Sequence, residues 1–199
     1  MNYLAHLFLS HKEEGLLIGN FIADSIKNRE LDSYSFTIQK GIQLHRQIDA
    51  FTDSHPIVKQ STRRLYPHHG KYAAVAIDVF YDYLLAKNWD TYSSQSLPNF
   101  AREIYQILLK RQQDLPIRLQ RNVLKMIEND WLVQYGTKKG IRFTFEKMEQ
   151  RTRFTSNFNE AVDNLWKDYA LYDAEFNQFF PDVLKMADNF RLMEFPTYQ

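Results

Sequence analysis

Ala73-Ala74-Val75-Ala76-Ile77-Asp78-Val79-Phe80-Tyr81-Asp82-Tyr83-Leu84-Leu85-Ala86 is the most apolar stretch of the chain. Its two charges, Asp78 and Asp82, are both negative and four residues apart, so a helix puts them on nearly one face. That face continues through Ala74 and Leu85, which makes it a stripe turned toward a core. Two carboxylates in apolar surroundings repel each other and lose hydration. One protonates, a cation binds, an arginine from another helix pairs with them, or Asp82 reaches solvent.

The rest of the chain reads as helix around this stretch. Leu4, Leu7 and Phe8 mark a short first helix, and the apolar run from Gly15 to Asp24 predicts a buried segment. Ser35 caps a long helix that ends near Asp53, before Ser54-His55-Pro56. Pro56 starts a short helix through Leu65, and Pro67-His68-His69-Gly70 predicts a loop. Pro98 and Pro116 suit the first turns of two further helices, and Gly136 and Gly140 bracket a basic connection. The last helical stretch, from about Asn159 toward Phe190, is expected to break at Pro181. No alternating segment of useful length and no repeat interrupts this pattern, so the expectation is one compact all-α domain over residues 1–199.

Composition narrows the function classes. The 199 residues suit one domain, and the formal charge of +1 argues against bulk electrostatic binding of nucleic acid. Zero cysteines exclude disulfides, thiolate metal sites and a cysteine nucleophile. The first residues have no basic leader, and no apolar run nears the roughly 20 residues of a membrane span, so a cytoplasmic protein is expected. The charge is uneven: residues 110–153 carry a net +6 and residues 154–199 a net −5. Arg118, Arg121 and Lys125 fall at helical spacing within the basic part. They form a solvated helix face or a surface for an acidic partner.

The long helix repeats the pattern of buried polarity. Positions 38, 42, 45 and 49 form one stripe that begins as Ile38 and Ile42 and becomes His45 and Asp49. A histidine and an aspartate at this spacing can share a metal ion, or His45 is a core histidine hydrogen-bonded to Asp49. Asp53 is more exposed by position and suits a cap or a pair with Arg46. His6 interrupts the first apolar helix, and Asn20 and Asp24 interrupt the second. Inward imidazoles and carboxylates on four segments are costly unless they converge, and a metal ion is the economical point of convergence.

The segments that carry these residues resemble the acyl carrier protein phosphodiesterase family. They are Met1-Asn2-Tyr3-Leu4-Ala5-His6-Leu7, Gly19-Asn20-Phe21-Ile22-Ala23-Asp24, the stretch Gly41 to Asp53 with its H-R-x-I-D-x-x-T-D block, Asp78 to Leu85, and Trp131-Leu132-Val133-Gln134-Tyr135. The resemblance implies a divergent relative of the all-helical HD-domain metal phosphohydrolases without the adjacent His-Asp pair, and no such pair occurs here. It implies hydrolysis of the phosphodiester between 4′-phosphopantetheine and a serine of holo-acyl carrier protein, with Mn2+ or Mg2+ as cofactor. Carried over by position, Asp24, His45, Asp78 and His6 are the expected metal ligands, and Arg46, Asp49, Asp82 and Asp53 the expected catalytic residues. Carrier proteins are acidic, which makes Arg118, Arg121 and Lys125 candidates for docking, with Lys59, Arg63 and Arg64 as the alternative. Phe8 and Tyr83 stand where family members often have histidine, so neither lost imidazole is an indispensable ligand here. The competing expectation is an HD-like phosphohydrolase acting on a nucleotide or another small phosphodiester. A carboxylate-bridged di-iron bundle would show Glu-x-x-His pairs, and the chain has none.

Overall fold

The computed structural model describes residues 1–11, 13–150, 152 and 156–195. About 85% of it is helical and no strand occurs among the described residues, as the periodicity predicts. The order is α1 (Tyr3–Leu9), α2 (Glu14–Ile22), α3 (Phe36–Ser54), α4 (Pro56–His69), α5 (Ala73–Lys87), α6 (Trp89–Tyr92) and α7 (Leu97–Lys110). It continues with α8 (Ile117–Glu128), α9 (Trp131–Gln134), α10 (Lys138–Glu149), α11 (Phe158–Lys167) and α12 (Tyr169–Glu194). No helix among the described residues is long and apolar enough to cross a membrane.

The most intimate pair is α2 on α3. Gly15, Gly19 and Gly41 let the two backbones approach: a methyl group on Gly41 would collide with the Leu16 carbonyl oxygen. This contact sets Asn20 directly over the His45 turn. Helix α5 runs through the core, with Ala76, Ile77, Val79, Phe80, Leu84 and Leu85 fully buried. Around it pack α1, α4, α10, α11 and α12. Of the stripe expected to face the core, Asp82 and Leu85 are fully buried, Asp78 is partly buried and Ala74 is exposed, so the stripe enters the core only along its second half.

Three local expectations are corrected. Pro67, His68 and His69 continue α4 instead of forming a loop, because Leu65 and His69 are buried one turn apart and hold the last turn down. His69 Nδ1 donates to the Ser156 carbonyl oxygen at 2.9 Å and Asn164 bonds its other nitrogen. Pro181 lies inside α12, and the break falls earlier, at Asp168. Phe179, Phe180 and Val183 are fully buried on both sides of the proline, so tertiary packing outweighs the lost backbone hydrogen bond. Gly140 sits in the first turn of α10 under the Thr137 cap, whose Oγ1 accepts its N–H at 2.9 Å.

Candidate active site

His6 on α1 and His45 on α3 are brought face to face, with ring centroids 4.1 Å apart and planes 20° from parallel. Asp49, one turn beyond His45, closes one edge of the stack. Its Oδ1 is 3.1 Å from His6 Nε2 and its Oδ2 is 3.1 Å from His45 Nε2. Asp24, in the short turn after α2, adds its Oδ1 at 3.2 Å from His45 Nε2. The two imidazoles are almost fully buried, whereas the Asp49 side chain is 42% exposed and that of Asp24 86%. The cluster therefore opens to solvent on its carboxylate side.

The electrostatics divide the pair. Burial opposes charge on His45, yet hydrogen bonds to Asp24 and Asp49 raise it to about 9. Burial, only partly offset by Asp49, and the neighbouring His45 charge lower His6 to about 4. At neutral pH the metal-free cluster holds one imidazolium and one neutral imidazole. Asp49 stays well below the usual carboxylate range, since the contacts to both rings outweigh its burial. Asp24 is also lowered, first by the hydrogen bond from His45.

The α5 carboxylates are held differently from each other. Asp82 is fully buried and accepts the backbone N–H groups of Leu4 at 2.8 Å, Ala5 at 3.2 Å and Asn2 at 3.3 Å. It thus caps the start of α1 from another helix, satisfying donors that a helix cannot satisfy within itself. Burial nonetheless pushes it up to about 7. Asp78 accepts a hydrogen bond from the Met1 amine at 2.9 Å, and this amine also lies 3.9 Å from Asp49 Oδ1. The Met1 amine thus stands between Asp78, an expected metal ligand, and Asp49. Asp78 stays outside the close group of His6, His45 and Asp49, whose ligand atoms lie within 4.8 Å of one another. Its carboxyl is raised by burial, with the charges of Asp49 and Asp53 adding to the effect.

Arg46 and Asp53 are exposed on the same side of α3, and no ion pair joins them among the described residues. The Arg46 guanidinium instead donates to Asn28 Oδ1 at 2.8 Å. Phe8 and Tyr83 point away from the cluster. Phe8 packs on Trp89 and Phe100, and Tyr83 on Trp166 and Tyr169, so aromatic packing occupies both positions. Arg118, Arg121 and Lys125 are exposed on α8 and have no ion pair among the described residues. Arg151 and Arg153, part of the basic stretch, lie outside the described residues. Of the alternative docking residues, Lys59 and Arg63 are exposed, but Arg64 is bound by the buried Glu175.

Sequence reasoning missed the part played by Asn20, which bonds both rings. A lone amide between Gly19 and Phe21 in an otherwise apolar helix was the available signal.

Fold and cluster together define an all-helical domain built around an internal pair of histidines closed by carboxylates. A family model for acyl carrier protein phosphodiesterase matches residues 1–183. The chain belongs to the acyl carrier protein phosphodiesterase family, whose members are phosphoric diester hydrolases. It is 29% identical to the acyl carrier protein phosphodiesterase of Photorhabdus laumondii over 95% of this chain and 96% of that one. It is 28% identical to that of an Enterobacter species, covering 96% of this chain and all of the relative. The one from Escherichia coli O157:H7 is 29% identical over 94% of this chain and 97% of its own. No solved structure matches the chain.

Proposed function

We propose that the protein hydrolyses the phosphodiester joining 4′-phosphopantetheine to a serine of holo-acyl carrier protein, with a divalent ion bound by His6, His45 and Asp49. Water attacks phosphorus and the bond to the serine oxygen breaks, leaving apo-carrier and 4′-phosphopantetheine. The observation that carries the reading is the buried Nε2 of His6. It lies 3.1 Å from Asp49 Oδ1 but out of line for a hydrogen bond, and has no hydrogen-bond partner among the described residues. A buried nitrogen left without a partner costs free energy, and a cation held by it and the nearby carboxylate would supply one. Asp24 is close enough to His45 to join the set from the solvent side. Two imidazole nitrogens with carboxylate oxygens suit Mn2+ better than Mg2+, which prefers all-oxygen surroundings.

When bound, such an ion activates a water near neutral pH and offsets phosphate charge. The chain's own residues do the positioning. Arg46, steered by Asn28 at the rim, offers a guanidinium fork to phosphoryl oxygens. Asp53 lies on the same side of α3, where it adds negative charge around Asp78. Asp82 serves the site through α1, holding the helix that carries His6. Kinship with HD-domain phosphohydrolases is part of the same reading, with His6 and His45 in place of their adjacent His-Asp pair.

Docking follows from charge. Arg118, Arg121 and Lys125 share α8 with exposed Ile117 and Leu124, a mixed apolar and basic face that fits an acidic carrier. A groove of about 430 Å3, lined by Tyr34, Ile38, Arg111, Ile117 and Gln120, adjoins the start of that helix. A carrier-protein substrate also puts the enzyme in the cytoplasm. The test is conversion of holo-carrier to apo-carrier with added Mn2+, followed by intact mass. No conversion, alongside hydrolysis of nucleotide or other small phosphodiesters, would favour the broader phosphohydrolase reading.

A further inference from the structure

Asn20 is 1% exposed and lies at the opposite edge of the imidazole stack from Asp49. Its Nδ2 donates to the His6 carbonyl oxygen at 2.8 Å and to Ser10 Oγ at 2.9 Å. A carbonyl oxygen only accepts, so this contact fixes the amide with its oxygen toward the rings. That oxygen meets His6 Nδ1 at 2.8 Å and His45 Nδ1 at 3.0 Å, and the Asn20 backbone carbonyl oxygen is also 3.0 Å from His45 Nδ1. Every atom facing the two Nδ1 positions is thus an acceptor, and both nitrogens must carry hydrogen.

We infer that Asn20 is the positioning residue of this site: its amide oxygen holds His6, and together with its backbone carbonyl holds His45, as Nδ1–H donors, which leaves the Nε2 of His6, and that of His45 once its second proton is displaced, to bind one divalent ion. The inference rests on the metal reading above only for what the lone pairs bind. Without the Asn20 amide the arrangement at His6 would be reversed, because Asp49 is a strong acceptor and would draw its hydrogen to Nε2, whereas His45 would keep the backbone carbonyl of residue 20 on its Nδ1. The Ser10 hydroxyl, which donates to the His6 carbonyl oxygen at 2.9 Å, completes the support. Partners that orient ligating histidines typically contribute about 10- to 100-fold in metal affinity.

The experiment labels histidine with 15N and reads the tautomer of His6 in the metal-free protein by long-range 1H–15N correlation. His6 in the Nδ1–H form is expected, and His6 in the Nε2–H form would overturn the inference without any variant. Asn20→Leu and Asn20→Asp then separate positioning from packing. Both remove the Nδ2 donor to Ser10 and the His6 carbonyl, but only the aspartate keeps an acceptor for the rings. Asn20→Asp should retain the Nδ1–H form and bind Mn2+ within a few-fold of the unchanged protein. Asn20→Leu should shift His6 to the Nε2–H form and weaken Mn2+ binding about 10- to 100-fold. Equal losses in the two variants would overturn the positioning role. Should the leucine variant not fold, the unchanged protein and the aspartate variant still decide the tautomer. An unchanged protein with Nδ1–H histidines that binds no Mn2+ would sink the metal reading while leaving the positioning role intact.

Discussion

Gly19 of α2 and Gly41 of α3 meet back to back, so that a methyl group on Gly19 would lie 2.7 Å from Gly41 Cα and 2.8 Å from Ile42 N. The same methyl would collide with the Ile38 carbonyl oxygen. All three neighbours are backbone atoms, so no side chain can swing aside. Gly19→Ala must part the two helices, and overpacking of this kind costs about 1–3 kcal/mol. Urea unfolding of the metal-free variant should show that loss, offset a little by the better helix propensity of alanine. A variant as stable as the original would mean that α2 and α3 do not touch here.

A second expectation concerns metal and protons. In the metal-free protein His45 keeps its proton up to about pH 9, on the nitrogen shared with Asp24 and Asp49. An ion bound to that nitrogen must displace the proton. Apparent Mn2+ affinity should therefore climb roughly tenfold per pH unit below about 9 and level off above it. Calorimetry in buffers of different ionisation enthalpy should count close to one proton released. Affinity that ignores pH would remove His45 from the ligand set.

On α5 the residues that need partners are legible in the sequence and the partners are not. Spacing puts Asp78 and Asp82 on one stripe, which is core-facing at Asp82 but open at Ala74, and like charges withdrawn from water demand partners. Those partners are the Met1 amine and the first N–H groups of α1, some 77 to 80 residues away, and nothing in the α5 pattern names them. His45 and Asp49 were legible as a pair because they share one helix. The stacking of His6 on His45 was not, since it depends on the crossing of three helices. Pro67 and Pro181 misled for the same reason: a local rule against proline in helices gave way to buried neighbours on either side. Asn20 was visible as an oddity, but its two bonds exist only once α1 and α3 have come together.

A third expectation lies far from the cluster. Glu175 of α12 is almost fully buried and accepts from Ser61 Oγ at 2.5 Å, Gln60 Nε2 at 2.8 Å and the guanidinium of Arg64. Its carboxyl is lowered from its ordinary 4.5, because these hydrogen bonds, Arg64's foremost, outweigh the penalty of burial. A depressed carboxylate stabilises the fold fully above its unfolded value and loses that contribution as pH falls through its folded one. Glu175→Gln should cost about 2 kcal/mol at neutral pH, the scale of a lost charged hydrogen bond. The gap to the original protein should stay constant above about pH 4.5 and close below it. A gap that widens in acid would show that Glu175 is not ionised in the folded protein.

The last expectation is carrier docking through α8. Arg118, Arg121 and Lys125 are exposed, and no ion pair among the described residues diverts their charge, whereas Arg64, an alternative docking residue, is engaged with Glu175. Reversal by Arg118→Glu and Arg121→Glu should raise KM for holo-carrier at least tenfold, since each lost charge contact is worth on the order of 1 kcal/mol at a rim and each new one repels. The kcat for carrier should hold, because the exposed face of α8 carries none of the residues around the histidine stack. Salt should raise KM for the original protein and hardly affect the double variant, given a screening length of roughly 10 Å at 0.1 M. A small phosphodiester, which needs no docking face, reads the chemistry alone and separates a folding defect from a docking one. If KM for carrier ignored both reversal and salt, the acidic partner would be met elsewhere, with the exposed Lys59 and Arg63 on α4 as the alternative.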